Sequence, residues 1–181
     1  MALQKWNVDP LHSHIAFSVR HLLISKVTGH FNRWTGDFNL DEGDPKASRI
    51  EVTIDASSVD TRVEPRDNHL RSADFFDVEK FPTLTFKSTS IDKVGESDFK
   101  LHGDLTIHGV TRPVTLDVEF SGTMKDPWGG ERGGFSAHAA ISRKDFGLTY
   151  NQVLETGGVA VGDKVDINIE VEAVKAVAVP T

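Results

Sequence analysis

Hydrophobic and polar residues alternate with a period of two along most of this chain. Phe99, Leu101, Leu105 and Ile107 fall on odd positions between Lys100, His102, Asp104 and Thr106. Beyond a break from His108 to Pro113, Val114, Leu116, Val118 and Phe120 fall on even positions between Thr115, Asp117 and Glu119. Successive strand side chains point to opposite faces, so the two arms predict an antiparallel hairpin with one apolar face. A lone hairpin is marginal in water, so the other strands must cover that face.

The same alternation predicts those strands. Ile15, Phe17 and Val19 share one parity, as do Ile50, Val52 and Ile54, and Leu84 and Phe86. Phe31 is odd, but Trp34, Phe38 and Leu40 are even, a phase flip that predicts a bulge or break between them. Leu22-Leu23-Ile24 lacks a period and reads as a bulge or a turn of helix. Phe135, Ala137, Ala139 and Ile141 form a strand with a small-residue face, and Val165, Ile167, Ile169 and Val171 the cleanest strand of all. Between Ser57 and Pro82 the alternation stops. Pro65 suits a first helical turn, so a short helical insertion is expected around residues 65–78, with Leu70, Phe75, Phe76 and Phe81 as its apolar groups. About eight strands, each apolar on one face, predict an all-β, extended antiparallel barrel with up-and-down connections. A barrel of about that size is either just filled by its own side chains or holds one small ligand.

Composition narrows the partners. The 181 residues suit a single domain, with a core from about residue 6 to residue 174. A net charge of -7 and the lack of any Lys/Arg cluster argue against nucleic acid. With no cysteine, disulfides, thiolate metal sites and cysteine nucleophiles are excluded. No apolar run reaches the length of a membrane span, so stable membrane insertion is not expected. The segment Met1-Ala2-Leu3-Gln4-Lys5-Trp6 does not read as a secretory signal. A native start at Met1 therefore predicts a cytoplasmic protein, and a lost leader a periplasmic one.

Few residues announce chemistry. His12 and His14 have an alternate-residue spacing that can hold a metal, but no third ligand follows, and no metal is expected. His14, His21 and His69 are candidate polar contacts, or, beside a carboxylate, the only reading for an enzyme acting on a hydrophobic substrate. Arg20, Arg62, Arg66, Arg71 and Arg143 could hold a phosphate or quinone head, because a guanidinium fork matches such oxygens. Trp128-Gly129-Gly130 reads as a flexible loop and a conceivable lid. There is no phosphate-binding loop and no nucleophile elbow. Exposed apolar residues also permit a homodimer, and a filled barrel acting as an interaction module stays open.

The stretch from Asp67 to Asp77 (Asp-Asn-His-Leu-Arg-Ser-Ala-Asp-Phe-Phe-Asp), with Phe81-Pro82 and Phe86, resembles the YceI family of polyisoprenoid-binding, lipocalin-like proteins. So do Asp9-Pro10 with His12-Ser13-His14, the run from Leu105 to Val114, Ser142 to Gly147, and Val161-Gly162-Asp163, in the expected order. The resemblance implies a lipocalin-like barrel whose apolar tunnel holds an isoprenoid lipid without catalysis or cofactor. It implies a tunnel wall of Ile15, Phe17, Val19, Phe31, Phe38, Ile50, Val52, Ile54, Leu70, Phe75, Phe76, Phe81, Leu84, Phe86, Leu101, Leu105, Ile107, Leu116, Val118, Phe120, Ile141, Phe146, Ile167 and Ile169. His14, His21, His69 and Arg143 would then meet the head group. A chain of about 40 carbons at about 0.3 kcal/mol per atom would gain about 12 kcal/mol.

Overall fold

Along the main sheet each run of strand, whole or broken, pairs with the run before it. The computed structural model describes residues 3–22, 24–151, 153–154 and 158–177. Strands β1 (Gln4–Val8) and β2 (His14–His21) form one broken run, and β3 (Ser25–Phe31) and β4 (Trp34–Leu40) the next. A third comprises β5 (Arg49–Asp55) and β6 (Val59–Asp60). Then come α1 (Glu64–Arg71), β7 (Thr83–Lys93), β8 (Asp98–Ile107), β9 (Val110–Lys125), β10 (Glu131–Ser142), the small pair β11 (Val153–Leu154) and β12 (Gly158–Val159), and β13 (Val161–Lys175).

Closure comes from β13, which pairs with β10 on one side and with β1 and β2 on the other. All pairings are antiparallel, and with each broken run counted once they make the expected closed, eight-stranded, up-and-down barrel. Closure leaves only the two-residue β6 paired on a single side in the main sheet among the described residues. The β8–β9 hairpin turns more tightly than the sequence suggested. His108 and Gly109 alone make the turn, with φ of 55° and 71°, the positive pair that suits strand twist. Pro113 lies inside β9, opposite Asp104.

The phase flip between Phe31 and Trp34 is the β3–β4 break. There the Asn32 backbone N–H donates to the Ser58 carbonyl and the Asp55 N–H to the Arg33 carbonyl, so two breaks in neighbouring runs are stitched together. The Leu22–Ile24 region is the turn between β2 and β3, with Leu23 outside the described residues.

The helix occupies Glu64–Arg71 and ends sooner than the expected insertion. After Arg71 the chain folds back, Phe76 N–H donating to the Leu70 carbonyl and Phe81 N–H to the Asp77 carbonyl. Helix α1 is tethered across one end of the barrel. Buried Asp67 accepts from the Thr61 backbone N–H at 2.8 Å and its hydroxyl at 2.5 Å, while Arg71 donates to the Ser57 and Val59 carbonyls. The other end is the base. There Trp6 is only 2% exposed and packs with Phe38, Val171 and Ala173.

Gly29 and Gly103 are inward positions where a ring takes the space a side chain would fill. A Cβ on Gly29 would lie 2.4 Å from Cζ of Phe17, and one on Gly103 would lie 2.4 Å from Cζ of Phe86. Each ring lies over bare backbone.

Candidate functional site

The strand faces converge on a hollow of about 500 Å³. That falls inside the ordinary range for ligand cavities, about 300–1,000 Å³. A completely filled barrel is therefore ruled out. From β2 the wall takes Ile15, Phe17 and Val19, and from β3 and β4 Phe31 and Phe38. Strand β5 gives Ile50, Val52 and Ile54, β7 gives Leu84 and Phe86, and β8 gives Leu101, Leu105 and Ile107. Leu116 and Val118 come from β9, Ile141 from β10, and Ile167 and Ile169 from β13. Leu70, Phe75 and Phe76 of the insertion face it from the α1 end.

Three expected wall residues stand elsewhere. Phe81 precedes β7 and packs edge-on against His108, 4.8 Å between ring centroids, where it also covers Gly109. Phe120 keeps the inward parity of β9, but it stacks on Phe135 at 5.0 Å, and Phe135 is the ring that lines the hollow. Phe146 lies in the turn after β10, buried in the surrounding core.

The wall also includes residues sequence reasoning left out of it. Phe135, Ala137 and Ala139 share the parity of Ile141, and Val165 and Val171 that of Ile167, so the alternation already held that signal. Leu148, Tyr150 and Ala160 lie in an irregular segment that offered none.

Polar side chains gather at the α1 end. Arg20, His21, Thr61, Arg66, His69, Arg143 and Tyr150 all line the hollow, and among the described residues no Asp or Glu does. Since Arg20, His21 and His69 are also exposed, the hollow reaches the surface here. Arg66 donates to the Thr61 hydroxyl at 2.8 Å and carbonyl at 2.9 Å. Arg62 and Arg71 do not line the hollow.

Arg143 is 4% exposed and donates to the carbonyls of Gly162, Leu148, Tyr150 and Val161 at 2.9, 2.7, 2.8 and 3.4 Å. Burial pushes its guanidinium below the ordinary value, and the charge of Asp163 opposes that shift. Arginine nonetheless stays charged. The mouth thus contains a buried cation satisfied by neutral acceptors.

His69 is half-fixed by two kinds of contact. Its Nε2 lies 2.8 Å from Asp74 Oδ2, and its ring meets Phe75 and Tyr150 edge-on at 5.1 and 5.0 Å. His14 sits apart. Its even parity sends it to the outer face of β2, into a separate pocket of about 170 Å³ with His30, 6.0 Å away between centroids.

His12 and His14 do not converge. His12 Nδ1 lies 2.8 Å from Asp9 Oδ2 and 3.3 Å from Glu172 Oε2. Those three are metal-ligand types within reach of one another, but Arg132 Nη1 is 2.9 Å from the same Asp9 oxygen. The group is an ion-paired clasp near the base. The Asp126–Gly130 loop joins it through Arg132 and Asp126, 3.1 Å apart, so Trp128 is remote from the mouth and no lid over it. Among the described residues no helix is long and apolar enough to cross a membrane.

A closed antiparallel barrel around an apolar hollow, open beside a helical insertion, is a hydrophobic-ligand-binding β-barrel. Residues 6–173 match the YceI-like domain, and the chain belongs to the YceI family. It is 43% identical over 164 residues to protein YceI of Escherichia coli (strain UMN026), covering 91% of this chain and 82% of that one. The crystal structure of the Campylobacter jejuni YCEI protein superposes with a TM-score of 0.76 at 35% identity, covering 87% of this chain and 90% of that one. A polyisoprenoid binding domain from Saccharophagus degradans, implicated in plant cell wall breakdown, shares the fold with a TM-score of 0.69 at 18% identity, covering 96% of this chain and 99% of that one.

Proposed function

We propose that this protein sequesters or carries an isoprenoid lipid, tail first, in the barrel, without catalysis. The observation that carries the reading is the apolar hollow whose polar side chains lie at one end and include no carboxylate among the described residues. The polyisoprenoid-binding description of the Saccharophagus degradans neighbour supports it. An apolar cavity of about 150 Å³ accommodates one benzene, so this hollow has room for about twenty carbons, or about four isoprene units. At about 0.3 kcal/mol per atom the enclosed part alone is worth about 6 kcal/mol. A longer tail extends out through the mouth. The head, an isoprenoid quinone or a polyprenyl phosphate, rests against Arg20, His21, Arg66 and His69, with Arg143 supplying charge from behind.

Organic extraction of purified protein followed by mass spectrometry tests this reading. We expect one isoprenoid per chain. Protein that yields no lipid, and takes up no added isoprenoid, would overturn it.

A further inference from the structure

The β2–β3 hairpin differs in charge from the rest of the molecule. The chain carries 27 acids and a net charge of -7, yet no Asp or Glu occurs between Asp9 and Asp37. Its turn reads Arg20-His21-Leu22-Leu23-Ile24-Ser25-Lys26. Leu22 and Ile24 are 37% and 79% exposed. Arg20 and Lys26 face each other across the strands, although like charges placed so are mutually destabilising. Neither has an ion-pair partner among the described residues, whereas Arg33 on the same acid-free stretch is paired with Asp55. Leu22 also holds a left-handed φ of 54°, a costly conformation for a bulky residue. Arg20 and His21 also line the hollow, so the turn stands at its rim.

We propose that this turn docks the tunnel mouth onto an anionic lipid surface. Leu22 and Ile24 enter the head-group layer while Arg20 and Lys26 meet lipid phosphates, the pairing of apolar and basic groups that favours an interface. The chain's net negative charge does not forbid this. At physiological salt the screening length is about 8 Å, so the lipid surface meets the turn rather than the far side of the barrel. The proposal rests on the carrier reading, because a bilayer is where a long isoprenoid resides, and docking gives its tail a dry path.

The test is co-sedimentation of the whole protein at physiological salt with phosphatidylcholine vesicles, with and without phosphatidylglycerol. Wild type is expected to bind only the anionic vesicles. Each basic residue near such a surface contributes about fivefold, so Lys26→Glu should weaken binding by about fivefold or more. Ile24→Asp should weaken it further, and Ile24→Trp should show a blue-shifted emission on anionic vesicles. Neither Ile24 nor Lys26 lines the hollow, so uptake of detergent-dispersed isoprenoid should be unchanged in the variants. Equal vesicle binding by wild type, Ile24→Asp and Lys26→Glu, or none by wild type, overturns docking. So does a finding that Ile24→Asp abolishes self-association while vesicle binding persists, which would put a second copy of the chain on this turn. Vesicle binding without isoprenoid uptake by wild type would instead overturn the carrier reading and leave docking standing.

Discussion

The two ends of the barrel satisfy their charges in opposite ways. At the base Arg132 is clasped by Asp9 and Asp126, with Glu172 and His12 beside it. Cation meets anion, and the cluster is self-sufficient. At the mouth Arg143 and Arg66 are held by carbonyls and a hydroxyl, and no carboxylate pairs directly with either guanidinium among the described residues, Asp163 acting on Arg143 through its charge alone. The packing differs in the same sense. The base is plugged around Trp6, whose Nε1 is buried with no hydrogen-bond acceptor among the described residues. At the mouth the rings of His69, Phe75 and Tyr150 meet one another edge-on and line the hollow rather than fill it. One end is shut, and the other reaches the surface beside basic side chains.

Replacing Trp6 by Ala should have the largest effect. Loss of a buried aromatic plug costs about 3–5 kcal/mol, read as a fall in unfolding free energy in urea. A variant as stable as wild type would mean that Trp6 does not seal the base. Arg143→Met comes next, at about 3 kcal/mol, because four carbonyls around a buried side chain lose a charged donor. Arg143→Lys should recover little of that, since an ammonium cannot reproduce the fork. Full recovery by lysine would show that charge alone, and not the geometry, holds the mouth.

Ala137→Phe sharpens the contrast between filled and open. The ring would enter the hollow from β10, lowering isoprenoid affinity by about tenfold, or about 1.4 kcal/mol. Stability should change by less than about 1.5 kcal/mol, because the space is already there. Undiminished binding would place the ligand elsewhere.

The smallest effect concerns the clasp. The hydrogen bond to Asp9 raises the pKa of His12, and the same bond lowers that of Asp9. The stabilisation from His12 is complete below its unfolded value of about 6.5 and fades as pH rises through the folded value. That from Asp9 is complete above about 3.9 and fades as pH falls through its folded value. His12→Ala should therefore lower the denaturation midpoint near pH 5 and do little at pH 8. An equal difference at both would contradict the assignment.

Much of the barrel was legible because burial on one face leaves a period of two in the sequence. Ile15, Phe17 and Val19 point inward together, and the flip from Phe31 to Trp34 marked the break between β3 and β4. Both His14 and His21 were expected at the head group, although the parity that turns Ile15 inward turns His14 outward; Arg20, on the same even parity, lines the hollow all the same. Where the backbone is irregular the rule has nothing to act on. Phe81 and Phe146 lie outside strands, and Tyr150 lies in a segment with no period. Phe120 obeys the rule and still misses the hollow, because a neighbouring ring stands between. The hydrogen bonding of Arg143 depends on a turn folding back over it, which no spacing discloses.

The bare backbone beneath Phe17 and Phe86 has a further consequence. These rings lie flat because Gly29 and Gly103 give them somewhere to lie. A single methyl group at Gly29 would tip Phe17 into the lumen and narrow its calibre, whereas one at Gly103 would meet the Lys87 carbonyl at 2.6 Å as well as the Phe86 ring. Which hydrophobic ligands fit is thus governed partly by two residues that have no side chain, and the shape of the lumen can change with one carbon atom in the wall.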